Sequence, residues 1–217
     1  MLRLVAFDMD GTLVDVASSW RVVHDHFGDH NDEGLRRFLA NEIDDVEFIR
    51  SDVRIWQRHV PGLTVADLKR ILAEVPLMPG AHELIRGIRE RGARTAIVSG
   101  GLDLLATRIA GELNIDVALA NGVRTTSAGR LTGDGIVRVP IHGKEGVLAD
   151  LQVRLGIRPE ETASVGNSEI DVGLFRRSRV GVAFLPEDEA VRRAATAVVT
   201  ERDLARVLDV LAEFPAG

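Results

Sequence analysis

The sequence predicts an α/β fold: a doubly wound, parallel, Rossmann-like sheet with a small all-helical segment inserted after its first strand. Three observations carry that prediction. Residues 2–7 form a short apolar run of strand length, closed by Asp8. Residues 18–75 read as helix throughout, punctuated by Gly28 and the Pro61-Gly62 pair. From Pro76 onward strand-like and helix-like stretches alternate at short spacing, a pattern that calls for parallel pairing with right-handed crossovers.

In chain order, the insert is expected to hold helices at 18–27, 33–41, 44–58 and 64–75. An amphipathic helix at 81–91 follows, stopped by Gly92. A strand is expected at 94–98, a helix at 102–113 and a strand at 116–120. Residues 121–138 suggest a hairpin around Ser127-Ala128-Gly129, with Gly133-Asp134-Gly135 read as turn chemistry. Helix 144–155 leads into strands at 162–165, 180–184 and 197–200, which alternate with helices at 170–176, 187–195 and 203–212. The core region is thus expected to comprise 1–14 and 76–217. The helical segment spans 15–75, with candidate hinges at Val14-Asp15 and 75–79.

The chain has 217 residues, 45% hydrophobic and 28% charged, which is ordinary globular composition. No apolar run approaches the roughly 18–20 residues of a membrane helix, so no membrane partner is expected. The apolar start is cut off by Asp8 and Asp10 and is too short for a signal peptide. Cysteine is absent, which excludes disulfides, thiolate metal sites and cysteine nucleophiles. A cytoplasmic location is the resulting expectation. The net charge of −6 argues against nucleic acid as a partner. Nothing in the sequence indicates an oligomeric state.

In open α/β sheets ligands sit beyond the carboxyl ends of the strands, and four features fall there. Asp8 and Asp10 follow the first strand, at alternate positions of an extended chain. Ser99, Gly100 and Gly101 join a strand to a helix, offering a hydroxyl, close backbone approach and free N–H groups. Lys144 opens a helix, at the end where the dipole prefers anions; the chain has only one other lysine, Lys69. Asn167 and Asp171 follow a strand with oxygen donors of the kind that suit Mg2+. Taken singly, these read equally as loop carboxylates, a plain turn, a surface lysine and an Asx-type cap. Their common edge is what makes them a site.

This order of motifs, Asp8-Met9-Asp10-Gly11-Thr12, Ser99-Gly100-Gly101, Lys144 and Gly166-Asn167-Ser168-Glu169-Ile170-Asp171, resembles the haloacid dehalogenase-like hydrolases. The likeness is closest to their phosphoserine phosphatase-like branch, whose helical cap is inserted at the same place. The resemblance implies a Mg2+-dependent phosphomonoester hydrolase that acts on a small phosphorylated metabolite through an aspartyl-phosphate. It implies Asp8 as nucleophile and Asp10 as general acid and base, with Ser99, Gly100 and Lys144 holding the phosphoryl group. Mg2+ would be bound by the Asp8 carboxylate, the Asp10 main-chain carbonyl and Asn167, steadied by Asp171. An aspartate near its reference pKa of ~3.9 is already ionised at neutral pH. Its obstacle is like charge: two unit charges roughly 4 Å apart repel by about 4 kcal/mol at an effective dielectric of about 20, which the metal and Lys144 must offset.

The sequence also departs from the branch. Asn167 stands where aspartate is usual, which predicts weaker Mg2+ binding, and Ile170 replaces an asparagine. The cap glutamate and arginine that read phosphoserine align with Ala17 and Asp52, leaving Arg50 and Arg54 as flanking substitutes. Trp20, Arg21 and Trp56 are the other cap residues expected to bear on specificity. The same intermediate allows phosphotransfer to an alcohol, and Asn167 leaves a weakly catalytic metabolite-binding protein as a further alternative. His24, His26 and His30 are set aside as a metal site because Gly28 breaks their helical spacing, and His142 reads as a loop histidine.

Overall fold

The computed structural model describes residues 1–214; Pro215 to Gly217, with which the expected core region ends, lie outside the described residues. Strand β1 (Leu4–Phe7) sits at the centre of the sheet. Around it lie β2 (Arg94–Leu102), β3 (Val117–Thr125) and β4 (Leu131–Ile136) on one side, and β5 (Thr162–Gly166), β6 (Val180–Phe184) and β7 (Ala197–Val199) on the other. The order is β4-β3-β2-β1-β5-β6-β7. Phe7, the last residue of β1, is in register with both Ile97 and Val165, so Asp8 emerges between β2 and β5. The chain first builds away from β1 in one direction and then in the other, which makes this edge the topological switch point.

Alternate residues of β1 feed opposite faces of the sheet. Val5 and Phe7 pack with helices α5 (Ala81–Glu90), α6 (Asp103–Leu113) and α10 (Val207–Ala212), through Ile85, Leu105 and Leu211. Leu4 and Ala6 pack with α7 (Lys144–Leu155), α8 (Val172–Arg176) and α9 (Glu189–Ala194), through Leu148, Leu174 and Val191. Helices on both faces confirm the doubly wound reading. Among the described residues no helix is long and apolar enough to cross a membrane.

The helical insert consists of α1 (Ser19–Phe27), α2 (Asp32–Leu39), α3 (Asp45–His59) and α4 (Val65–Leu72). Ser18, Asp44 and Thr64, expected as first helical residues, are extended N-caps whose side chains accept from Arg21, Glu47 and Asp67 amides. The connecting segments lie antiparallel: the Asp15 amide donates to the Pro76 carbonyl at 3.0 Å and Met78 to Leu13 at 2.9 Å.

Four details differ from the sequence expectation. Strand β2 does not end at Val98 but runs through Ser99-Gly100-Gly101 to Leu102, with a register irregularity against β3 over that stretch, so the expected strand-to-helix turn is the last part of the strand. The hairpin forms, but as a continuation of β3, which runs past its expected end to Thr125 and turns through Gly129 at φ 76°. Its partner β4 is antiparallel, so the sheet is parallel only from β3 to β7. Gly133-Asp134-Gly135 lies inside β4 and not in a turn; Gly135 there lets Ile49 of α3 approach so closely that a Cβ would lie 2.4 Å away. The expected helices at 170–176 and 203–212 begin as 3-10 turns, Glu169–Asp171 and Leu204–Arg206.

The buried side of the insert is continuous with the α5, α6 and α10 face of the sheet. Trp56 is fully buried, stacked on Trp20 at 5.6 Å and meeting the His24 ring edge-on at 5.4 Å. His24 Nδ1 lies 2.9 Å from the Asp29 carbonyl oxygen and Nε2 lies 3.0 Å from Asp52 Oδ1. Both partners accept, so both ring nitrogens donate and the ring is an imidazolium. Burial opposes that charge, but Asp52 and the Asp29 carbonyl outweigh it and raise the His24 pKa above its ordinary value.

Two measurements check this account. Gly80 has φ 80°, and a Cβ there would lie 2.0 Å from Asp203 Oδ1 and 2.5 Å from the Ala205 amide. Gly80→Ala is expected to destabilise by about 2–4 kcal/mol, lowering the thermal midpoint by roughly 5–15 °C. Gly92→Ala, at φ 77° but in open space, should cost only the backbone strain, about 1–2 kcal/mol. The second concerns His24. Because its folded-state pKa is raised, the stability it contributes is fully present below the unfolded value of about 6.5 and is lost as pH rises through the folded value. The midpoint difference between wild type and His24→Gln should therefore be largest in acid and shrink in alkali; a constant gap across pH contradicts the ion pair.

Candidate active site

The apolar run of β1 delivers Asp8 to the carboxyl edge, where its amide still pairs with the Val165 carbonyl at 2.9 Å. The chain then coils tightly, with the amides of Thr12, Leu13 and Val14 all donating to the Met9 carbonyl. Gly11, at φ 73°, lets this loop pass against Asn167; a Cβ there would sit 2.5 Å from Asn167 Nδ2.

Lys144 is buried at the start of α7, and its Nζ donates to Asp8 Oδ1 and to Asp171 Oδ1, both at 2.7 Å. Asp171 is fully buried, and its Oδ2 accepts from the Asn167 and Ser168 amides and the Ser168 hydroxyl, each at 3.0 Å. Both its oxygens are therefore engaged behind the lysine. Asp10 Oδ2 accepts from the Ser19 amide and hydroxyl at 2.8 Å, while Asp10 Oδ1 is buried with no partner. Ser99 is buried, its Oγ accepting from the Gly101 amide at 3.1 Å. The Gly100 carbonyl accepts from Trp20 Nε1 at 3.0 Å and Asn121 Nδ2 at 3.3 Å.

Asp8, Asp10, Ser99, Gly100 and Lys144 line one cavity of about 480 Å³ between the sheet edge and the insert. Asn167 and Asp171 adjoin it from behind. Asn167 Oδ1 accepts from the Thr12 hydroxyl at 3.3 Å, and Nδ2 donates to Glu187 Oε1 at 3.0 Å. Among the described residues no three His, Asp or Glu side chains cluster as a metal cage, so a cation here would need amide or main-chain oxygen in addition to carboxylate.

Three buried carboxylates, Asp8, Asp10 and Asp171, face one ammonium. Burial pushes the Asp8 carboxyl up to about 7, opposed by Lys144 and reinforced by Asp171 and Asp10. Its expected ordinary acidity is thus corrected by desolvation. Burial likewise raises Asp10 against the Ser19 donors. For Lys144 burial disfavours the charge, but Asp8 and Asp171 prevail and hold its pKa above the usual value.

On the insert side, Ala17, Trp20, Arg21 and Asp52 line the cavity as expected, but Trp56 lies behind Trp20. Arg50 and Arg54 do not reach it: Arg50 pairs with Asp134 and Glu47, and Arg54 with Glu47. They leave Asp52 without a cationic substitute. His142 stays outside, its ring parallel to Phe38 at 6.2 Å. Sequence reasoning missed Ser19, His24 and Glu187. Glu187 follows β6 at the same sheet edge and was open to the strand-end rule; His24 pairs with Asp52 across two helices and leaves no local signal.

The haloacid dehalogenase-like hydrolase family model matches residues 5–176. A phosphoserine phosphatase of Archaeoglobus fulgidus is 32% identical over 217 residues, covering 98% of this chain and 61% of its own length. One of Idiomarina loihiensis is 28% identical over 212 residues, covering 96% of this chain and 93% of its own. The chain thus spans about three fifths of the archaeal relative and nearly all of the bacterial one. A crystal structure of phosphoserine phosphatase in apo form superposes with a TM-score of 0.80 at 25% identity, over 96% of this chain and 98% of that one. A structure described as a phospho-aspartyl intermediate analogue of phosphoserine phosphatase, at 24% identity and TM-score 0.80, over 96% and 98%, shares the fold. The family match runs unbroken from β1 through α8 and takes in all four strand-end motifs; the chain belongs to the haloacid dehalogenase-like hydrolases, in their phosphoserine phosphatase-like branch, and carries the catalytic motifs of a phosphatase.

Proposed function

We propose that the protein is a Mg2+-dependent phosphomonoester hydrolase acting on a small phosphorylated metabolite, with Asp8 as the nucleophile. The observation that carries this reading is the buried Lys144 ammonium held 2.7 Å from Asp8 in the cavity that the Ser99–Gly101 end of β2 also lines. Lysine takes Oδ1 of Asp8, and among the described residues no donor reaches Oδ2. That oxygen attacks phosphorus, the ester bond breaks, and the leaving oxygen takes a proton from Asp10. Asp10, deprotonated, then removes a proton from the water that cleaves the aspartyl-phosphate, returning both carboxylates to their starting state. Its raised pKa and its partnerless Oδ1 suit a group that carries a proton. Ser99 and the Gly100 backbone hold the transferring phosphoryl oxygens with Lys144. The relatives' names support a small O-phosphorylated substrate.

The residues fit a divalent cation. Three carboxyl groups, Asp8, Asp10 and Asp171, share the single Lys144 ammonium, so the pocket is short of positive charge. Glu187 and Thr12 also fix which way the Asn167 amide faces. The Asp8 carboxylate, the Asp10 main-chain carbonyl and Asn167 Oδ1 would hold the ion, with Asp171 steadying Lys144 and the following loop. When bound, the ion supplies positive charge that offsets repulsion between Asp8 and the phosphate.

Asp8→Asn is expected to lower turnover of p-nitrophenyl phosphate by roughly 10³-fold or more with the circular dichroism spectrum unchanged; near-wild-type activity rejects the nucleophile. Asn167→Asp should tighten Mg2+ binding several-fold by calorimetry. It should also destabilise the metal-free protein by roughly 1 kcal/mol, because the new carboxylate faces the exposed Glu187. Equal Mg2+ affinities reject residue 167 as a ligand.

A further inference from the structure

The phosphomonoesterase reading leaves open what the far end of the cavity accepts. We propose that this end selects phosphomonoesters carrying hydrogen-bond donors, an amine or hydroxyls, and discriminates against a carboxylate: the substrate class is an amino-alcohol or polyol monophosphate. This rests on the phosphomonoesterase reading and adds the identity of the leaving group to it.

The argument begins with Asp52. The residue is 4% exposed and lines the cavity. Its Oδ1 is taken by His24 Nε2 at 3.0 Å and Asn31 Nδ2 at 2.7 Å. Among the described residues no donor reaches its Oδ2, so the carboxylate presents an acceptor to whatever fills the cavity. That oxygen is not sealed into the interior but stays open to the cavity, where a ligand N–H or O–H can donate to it.

The cations that could read a substrate carboxylate are otherwise engaged. His24 gives one nitrogen to the Asp29 carbonyl and the other to Asp52, so its charge is neutralised within the insert. Lys144 is held by Asp8 and Asp171 at the phosphoryl end. Arg21 and His30 also line the cavity, but both side chains sit beside Asp25, at 3.7 and 3.8 Å. Against them stand Asp32, Asp45 and Glu187, which share the lining with Asp52. A substrate carboxylate would meet a field of its own sign. Trp20, Phe48, Ile49 and Ile141 make up the apolar walls and offer a carboxylate no hydrogen bond.

The test uses a pair of esters that differ by one group. O-phosphoserine is O-phosphoethanolamine with a carboxylate added, so their kcat/KM ratio in the Mg2+-loaded protein isolates the carboxylate. Glycerol phosphate supplies the hydroxyl case and p-nitrophenyl phosphate a generic reference. We expect phosphoethanolamine to exceed phosphoserine by at least about tenfold, a factor within reach of one buried charge contact, and glycerol phosphate to exceed phosphoserine as well. Asp52→Asn should cut the phosphoethanolamine-to-phosphoserine ratio several-fold. Because that ratio is taken within one variant, any loss of folded protein cancels. Phosphoserine hydrolysed as fast as phosphoethanolamine, or a ratio unmoved by Asp52→Asn, overturns the inference while p-nitrophenyl phosphate turnover leaves the phosphatase reading standing. Failure to hydrolyse any of the four esters overturns both.

Discussion

The Lys144 ammonium, clasped between Asp8 and Asp171, is the interaction on which the rest of this structure depends. Its three members come from the end of β1, the start of α7 and the turn after β5, with Asp8 136 positions before Lys144 and Asp171 27 positions after it. The ammonium is 1% exposed and its partners 6% and 0%. A buried ion cluster of this kind is poor evidence for net stability, since desolvation consumes most of the Coulomb gain, yet losing one member strands the others. Its value is geometric. The sheet must close with β1 between β2 and β5, and α7 must start at the right height, or an unpaired charge is left in the interior.

The second constraint is how the insert is fastened over that cluster. Asp10 is two residues beyond the nucleophile candidate, yet its Oδ2 is held by the first turn of α1. The hydroxyl of Ser19 in turn accepts from the Leu102 amide at 2.9 Å. One serine therefore joins the loop after β1, the insert and the end of β2. Gly101 makes this possible, because any side chain there would collide with Met9, Asp10 and Ser19. Asp10 and the Ser99–Gly101 stretch of β2 are thus positioned by the same small group of contacts.

Much of this was legible in the sequence. The strand-end rule located Asp8, Asp10, Ser99, Gly100, Lys144, Asn167 and Asp171 because parallel sheets concentrate chemistry at one edge, and a one-dimensional scan can follow that edge. Alternation of strand and helix established the doubly wound core for the same reason. Long-range side-chain pairing was not legible. Nothing near Arg50 announces that it turns to Asp134, 84 positions on, and nothing near Asp52 announces His24. The acidity of Asp8 also escaped, since it depends on burial that only the folded packing creates. The Ser18, Asp44 and Thr64 boundaries slipped by one residue because a capping side chain is part of the helical pattern while its backbone is extended.

The hairpin carries a mechanical implication. Gln57 of α3 donates to the Leu131 carbonyl at 2.8 Å, and Leu131 in turn donates to Leu63 at 2.9 Å, so β4 is riveted to the insert. β4 is paired to β3, and β3 carries Asn121, whose amide bonds to the carbonyls of Gly100 and Val139. The helices above the cavity and the glycine end of β2 beneath it are therefore two ends of one linkage. A pull on α3 is felt at Gly100 by way of the β4–β3 pair, without passing through the cavity between them.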